Sequence, residues 1–436
     1  MTGTLLLDRI AAAELLSAHG RIRRAATGRL EATGPAARVG ELCRIGDDGL
    51  LAEVAVAGED GLILVPVEDR ALPPVGARVE PAPSAARAGV GDGYGGRAID
   101  ALGRAIDGGS DPVPVARMAI GGSLPPPLDR IAPERMLTTG IRAIDGLLTL
   151  GIGQRIGIFA ASGVGKTSLV EQIVAQTPAD RRILCLVGER GREVESFWRG
   201  LRARDDAARC TLVAATSDES VVLRARSVSL ALCLAEYWRD RGEHVLLVID
   251  SVTRLAMALR EIGLAAGEPP TARAYTPNVF AALPRMVERC GAVRGGGAIT
   301  AAMTVLSETD DIDDPIVEVM KSLLDGHVLL SRTLAEQGHF PAIDVPRSIS
   351  RLASRLMPPD HAAAARHAVA QLAVHDEARV MIDSGIYQAG GSAAIDAAIA
   401  GRDALLAFLR QGSEVAEPIA ETRRRLQALV HGGAHG

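Results

Sequence analysis

Only two of the chain's 48 basic residues are lysines, Lys166 and Lys321. Where lysine survives against such an excess of arginine, a role that a compact ammonium fills better than a planar guanidinium is the first to consider. Lys166 lies in such a place. Residues 160–167 read A-A-S-G-V-G-K-T, directly after the apolar run RIGIFA and ahead of a segment that puts Leu169, Val170 and Ile173 on one side of a helix. Gly163 and Gly165 let the backbone curl until successive N–H groups point into one concavity, and the helix that follows adds its positive N-terminal end. Strand, loop and helix are the context that a P-loop requires. The reading makes Ala161, Ser162, Gly163, Val164, Gly165, Lys166, Thr167 and Ser168 the phosphate cradle of ATP, with Lys166 directed to the β and γ phosphates and Thr167 a ligand of Mg²⁺. Ala160 replaces the first glycine of the pattern, which a negative φ there tolerates.

Two carboxylates join this site in the sequence reading. The apolar run VLLVID ends on Asp250, and an acid at the C-terminal end of a parallel strand faces the ligand crevice. In P-loop enzymes such an Asp serves Mg²⁺ directly or through water, whereas elsewhere it only closes a core strand. The run ILCLVG delivers Glu189 and Arg190 to the same crevice, where Glu189 can orient and deprotonate an attacking water. On its own Glu189 reads as a salt-bridged surface carboxylate, a part that Glu193 and Glu195 fit better; the company of the P-loop raises it above that. The acidic run ETDDIDDP, from Glu308 to Pro315, reads as a solvated loop whose charge complements the start of a helix rather than as a second metal cluster. The nine histidines lack zinc-ligand spacing, and Lys321 is expected to face solvent or a neighbouring chain.

These groups must be held by a chain of 436 residues, long enough for two or three domains. A hydrophobic fraction of 47% with 23% charged residues excludes disorder, and a net charge of −5 leaves no global basic surface for nucleic acid. The apolar runs are too short and too often broken by charge to span a bilayer. Five scattered cysteines without a C-x-x-C pair fit a reducing cytoplasm, and nothing near the N-terminus reads as a secretory signal. Residues 1–26 read as an N-terminal interaction segment, with an amphipathic stretch from Leu5 to Leu16. Short apolar runs separated by Gly and Asp over 27–82 read as a small β-barrel. Over 83–354 a Pro/Gly-rich connection leads into strands that alternate with helical segments, which implies crossover connections and a parallel sheet. Residues 355–436 turn Ala-rich and lose their strands, the pattern of a helical domain.

Five segments together carry a resemblance beyond the generic P-loop: TGIRAIDGLLTLGIGQRIGIFAASGVGKTSL, GERGREVESF, VLLVIDSVTRLAMALREIGLAAGEPP, SLLDGHVLLSR and GHFPAIDVPRSISR. They resemble the type III secretion ATPases, which include the flagellum-specific export ATPases and are relatives of the catalytic subunits of rotary ATP synthases. The similarity runs from about Gly34 to about Gln411 and is most discriminating from Val245 to Pro270. The resemblance implies an α/β fold with a RecA-like P-loop core, an N-terminal β-barrel and a C-terminal helical domain, assembled as a homohexamer with sites between neighbours. It assigns phosphate and Mg²⁺ binding to Lys166 and Thr167, water activation to Glu189, support of the site to Arg190 and the acidic metal partner to Asp250. It matches Phe340 to the aromatic residue packed on adenine and Arg351 to an arginine finger offered to the neighbour's nucleotide. Two departures stand out: Ala161 where the family usually has Gly, and Phe340 where Tyr is common.

The function so implied is Mg²⁺-dependent ATP hydrolysis that drives type III protein export and unloads chaperone-bound substrates, flagellar by preference, with a virulence injectisome as the alternative. Implied partners are the export apparatus's regulator and stalk proteins, chaperone–substrate complexes and the membrane export gate, with the protein cytoplasmic and peripheral at the inner membrane. An RNA-dependent ring helicase shares the core and a GER segment, but needs exposed aromatics on an RNA-binding barrel. Between Gly28 and Pro81 there is no Phe, Tyr or Trp. A non-hydrolysing ring subunit is disfavoured by the presence of both Lys166 and Glu189.

Overall fold

A computed structural model of the chain describes residues 19–68, 70–82, 86–306 and 314–432. The amphipathic stretch from Leu5 to Leu16 and most of the acidic run after Ser307 lie outside the described residues. Six antiparallel strands close a barrel in the order Gly20–Ala26, Arg29–Ala32, Gly61–Pro66, Leu50–Gly58, Leu42–Ile45, Arg78–Pro81. Alternate residues point inward, so Leu30, Val54, Leu64 and Val79 fill its core. The first barrel strand, GRIRRAA, lies ahead of residue 27, where the sequence reading begins the barrel. With Arg21, Arg23 and Arg24 it shows little apolar alternation, and Ile22 is its one large buried side chain.

The centre of the chain is a parallel sheet ordered Gly326–Leu329, Arg155–Ala160, Ala298–Leu306, His244–Asp250, Arg181–Glu189, Cys210–Thr216 and Ala98–Ile99, with Ile349–Ser350 antiparallel at one edge. Helices cover both faces, so the strands are continuous apolar runs, as in RIGIFA and HVLLVID, where every residue after the first is buried. Parallel pairing brings the C-terminal ends of three central strands, at Ala160, Glu189 and Asp250, to one end of the sheet. The helices Pro359–Asp383, Ala393–Leu409 and Ile419–Gly432 form the C-terminal unit. Among the described residues, no helix is long and apolar enough to cross a membrane.

One buried ion pair ties the helix Val221–Arg239 to the end of the helix Pro277–Glu288. Arg289 donates to Glu236 at 2.7 and 2.9 Å, with side chains only 5% and 2% exposed. Arg289→Ala strands a buried carboxylate and is expected to cost about 3–5 kcal/mol. Chemical denaturation followed by circular dichroism should show an earlier midpoint; an unmoved transition would mean that Glu236 finds water or protonates at no cost.

Candidate active site

The loop between the strand Arg155–Ala160 and the helix Lys166–Gln176 has the backbone that its glycines allow: φ is 80° at Gly163 and 90° at Gly165. The N–H groups of residues 162–165 donate to no acceptor among the described residues, and the first turn of the helix leaves further N–H groups free. This is an anion-binding nest, and its donor set fits a polyphosphate. Val164 is buried and anchors the loop, while Ser162, Gly163, Thr167 and Ser168 are exposed and Ala161 is partly so. Phe340 hangs over the same loop: a Cβ on Gly165 would stand 3.3 Å from Phe340 Cε1. The ring remains 45% exposed, and the Phe340 carbonyl accepts from the Gln411 N–H at 2.8 Å. A stacking surface thus sits beside the phosphate nest.

Lys166 Nζ pairs with Asp250 Oδ1 and lies 3.7 Å from Glu189 Oε1. Both acids are almost fully buried, at 3% for Glu189 and 1% for Asp250. Gly188, with φ 65°, creates a bulge against the neighbouring strand, a device that re-aims the next side chain. Glu189 Oε2 then meets Arg254 Nη1 at 3.0 Å, and Arg254 also donates to the Gly188 carbonyl. Burial pushes the Glu189 carboxyl above its ordinary value and Asp250 adds to that rise, while Lys166 and Arg254 pull it back. Two cations and two carboxylates therefore balance inside the cleft. Such a balance is open to a polyphosphate, which competes with the acids for Lys166 while the backbone nest supplies further donors.

The structure draws Lys166, Glu189 and Asp250 together and sets Thr167 on the exposed first turn beside them. Arg190, next to Glu189 in the chain, is exposed at the start of the helix Gly191–Arg202. Besides Lys166, the cation on Glu189 is Arg254, four residues after Asp250 and in the first turn of the helix Val252–Ala266, which Ser251 caps. The fourth residue after a strand-end Asp was a signal that could have found it. Thr304, which donates to Asp250 Oδ1 at 2.6 Å, was also missed. Lys321 pairs with Glu318 at 3.3 Å on its own helix.

Arg351 lies at the opposite end of the sheet. Its N–H donates to the Asp325 carbonyl and its guanidinium to the Lys321 carbonyl at 3.0 Å. Asp325 in turn donates to Arg155 O, at the start of the strand that leads to the P-loop. Five strand residues, about 17 Å, separate that level from Ala160. An exposed arginine so placed does not reach its own chain's phosphate nest.

The ATP synthase alpha/beta family nucleotide-binding domain matches residues 140–350, and the T3SS EscN ATPase C-terminal domain matches residues 357–428. A flagellum-specific ATP synthase of Bacillus subtilis (strain 168) is 41% identical over 430 residues, covering 98% of each chain. The assembled ATPase EscN from the type III secretion system of enteropathogenic E. coli superposes with a TM-score of 0.90 at 38% identity, over 94% of this chain and 100% of that one. EscN in complex with its central stalk EscO gives 0.86 at 37% identity, with the same coverage.

Proposed function

From the premise that this chain belongs to the type III secretion ATPase family, whose nucleotide domain is that of the ATP synthase alpha/beta family, we propose that it hydrolyses ATP in a homohexameric ring and that this hydrolysis serves protein export. The observation that carries the reading is the convergence of Lys166, Glu189 and Asp250 at the mouth of an unpartnered backbone nest. In this account the loop from Ala161 to Gly165, with Ser168, cradles the phosphates, and Phe340 packs against the base. Lys166 leaves the two carboxylates and takes the β and γ phosphates. Glu189, freed of that partner and held by Arg254, accepts a proton from water. The water oxygen bonds to the γ-phosphorus as the bond to the bridging oxygen breaks, giving ADP and phosphate. Thr167 and Asp250 are the residues that fit Mg²⁺, which supplies charge neutralisation at the phosphate oxygens. Arg190, exposed beside Glu189, is assigned a supporting part at the subunit boundary. Arg351 serves the site of the next subunit.

Lys166→Ala is the direct test of the nucleotide reading. A backbone nest supplies dipoles but no net charge, so removing the ammonium is expected to weaken ATP binding strongly while the fold stays intact. Isothermal titration should show it. A variant that binds ATP as tightly as the parent chain would end the P-loop assignment.

Likeness to both a flagellum-specific ATP synthase and EscN supports export as the task. Among settings we favour the flagellar one, with an injectisome as the alternative that gene neighbourhood decides. The partners that go with this reading are stalk and regulator proteins of the export apparatus, chaperone–substrate complexes and the membrane export gate, met from the cytoplasmic side of the inner membrane. The complex of EscN with its stalk supports the first of these by likeness.

A further inference from the structure

Every side-chain hydrogen bond that Asp250 accepts among the described residues falls on one oxygen, Oδ1. Lys166 Nζ and the Thr304 hydroxyl share it, the latter at 2.6 Å. Thr304 stands on the adjacent parallel strand, Ala298–Leu306, one residue beyond the register pair Ile249 and Met303, and so directly opposite Asp250. It is fully buried, and its hydroxyl has little choice of partner, since its other acceptor, the Ile249 carbonyl, is 3.5 Å away. The terminal torsion of an aspartate is broad and two-fold, so a carboxylate held by lysine alone can exchange its two oxygens. A short bond from a β-branched residue locked in a strand removes that freedom.

We propose that Thr304 is a positioning residue for the metal: it pins Oδ1 of Asp250 so that Oδ2 is the oxygen kept for Mg²⁺ or for a water bound to it. The inference rests on the nucleotide-site reading given above and names a residue that reading does not use. Lys166 departs from Oδ1 when phosphate arrives, and Thr304 then remains as the group that fixes the carboxylate. Groups that orient a metal ligand through hydrogen bonds typically change metal affinity by about 10–100-fold when removed.

The test is Mn²⁺ binding, read by electron paramagnetic resonance in the presence of ADP, on the full chain and on Thr304→Val. Thr304→Val is expected to raise the Mn²⁺ dissociation constant by about tenfold or more, while Thr304→Ser, which restores the hydroxyl, stays within about threefold of the parent. ADP affinity without metal and the melting temperature should be unchanged, which a purely structural role would not give. If Thr304→Val does not fold, Thr304→Ala removes the same hydroxyl and carries the comparison. Equal Mn²⁺ affinity in the parent chain and the folded hydroxyl-less variant would overturn the inference, as would an equal loss of metal-free ADP binding. A parent chain that binds ADP yet gains no Mn²⁺ affinity would instead overturn the metal reading on which the inference rests.

Discussion

Arg351→Ala is expected to lower ATP turnover by about 10³ to 10⁵, or on the order of 4–7 kcal/mol of barrier, while leaving nucleotide affinity nearly unchanged. The size follows from where the guanidinium acts. Charge redistributes over the γ-phosphoryl oxygens only in the transition state, so a cation aimed there lowers the barrier without tightening the ground state. Within one chain Arg351 is bonded to the Lys321 carbonyl, at the end of the sheet away from its own P-loop. In the proposed reading its contribution to chemistry therefore depends on assembly. Steady-state hydrolysis under assembling conditions, set beside ADP binding, separates the two effects. A variant that turned over normally would return Arg351 to the role of a surface residue tying two turns together.

Glu189→Gln is expected to cost about 10² to 10⁴ in turnover with ATP binding preserved. The amide keeps the shape and a hydrogen bond to Arg254, but cannot take a proton from water at neutral pH. The parent carboxyl is suited to that task because burial and the nearby Asp250 raise its proton affinity, while Lys166 and Arg254 keep it from rising further. Single-turnover hydrolysis with pre-bound ATP reads the chemical step alone. Near-normal single turnover would move the base to another group.

Much of this site is legible in the sequence because its parts are local. The P-loop is contiguous, its lysine is one of two, and Glu189 and Asp250 each end an apolar run whose burial on both faces is written in its composition. What the sequence hides is pairing at a distance. Arg254 is one arginine among dozens, and only the bulge at Gly188 together with the first turn of the helix Val252–Ala266 brings it to Glu189. Thr304 meets Asp250 through strand register, which periodicity within one strand does not encode. The tether between the nucleotide domain and the C-terminal helices is equally silent. Arg142 donates to the Phe408 carbonyl at 2.5 Å and to Glu417 at 3.0 Å, and its N–H reaches Gln411, whose own N–H holds Phe340. Arg142 is more than 250 positions from Phe408, Gln411 and Glu417 in the chain. The first barrel strand was missed for the opposite reason, since its three arginines outweigh the one large side chain that it buries.

The central claim is that each site is completed by a neighbouring subunit. Mixing Lys166→Ala with Arg351→Ala, each inactive alone, tests it under conditions that allow ring assembly and subunit exchange. In a head-to-tail ring some neighbours then pair an intact Lys166 with an intact Arg351, and partial ATPase activity is the predicted result. Mixed rings, verified by differential labelling, that remain without activity would contradict the account.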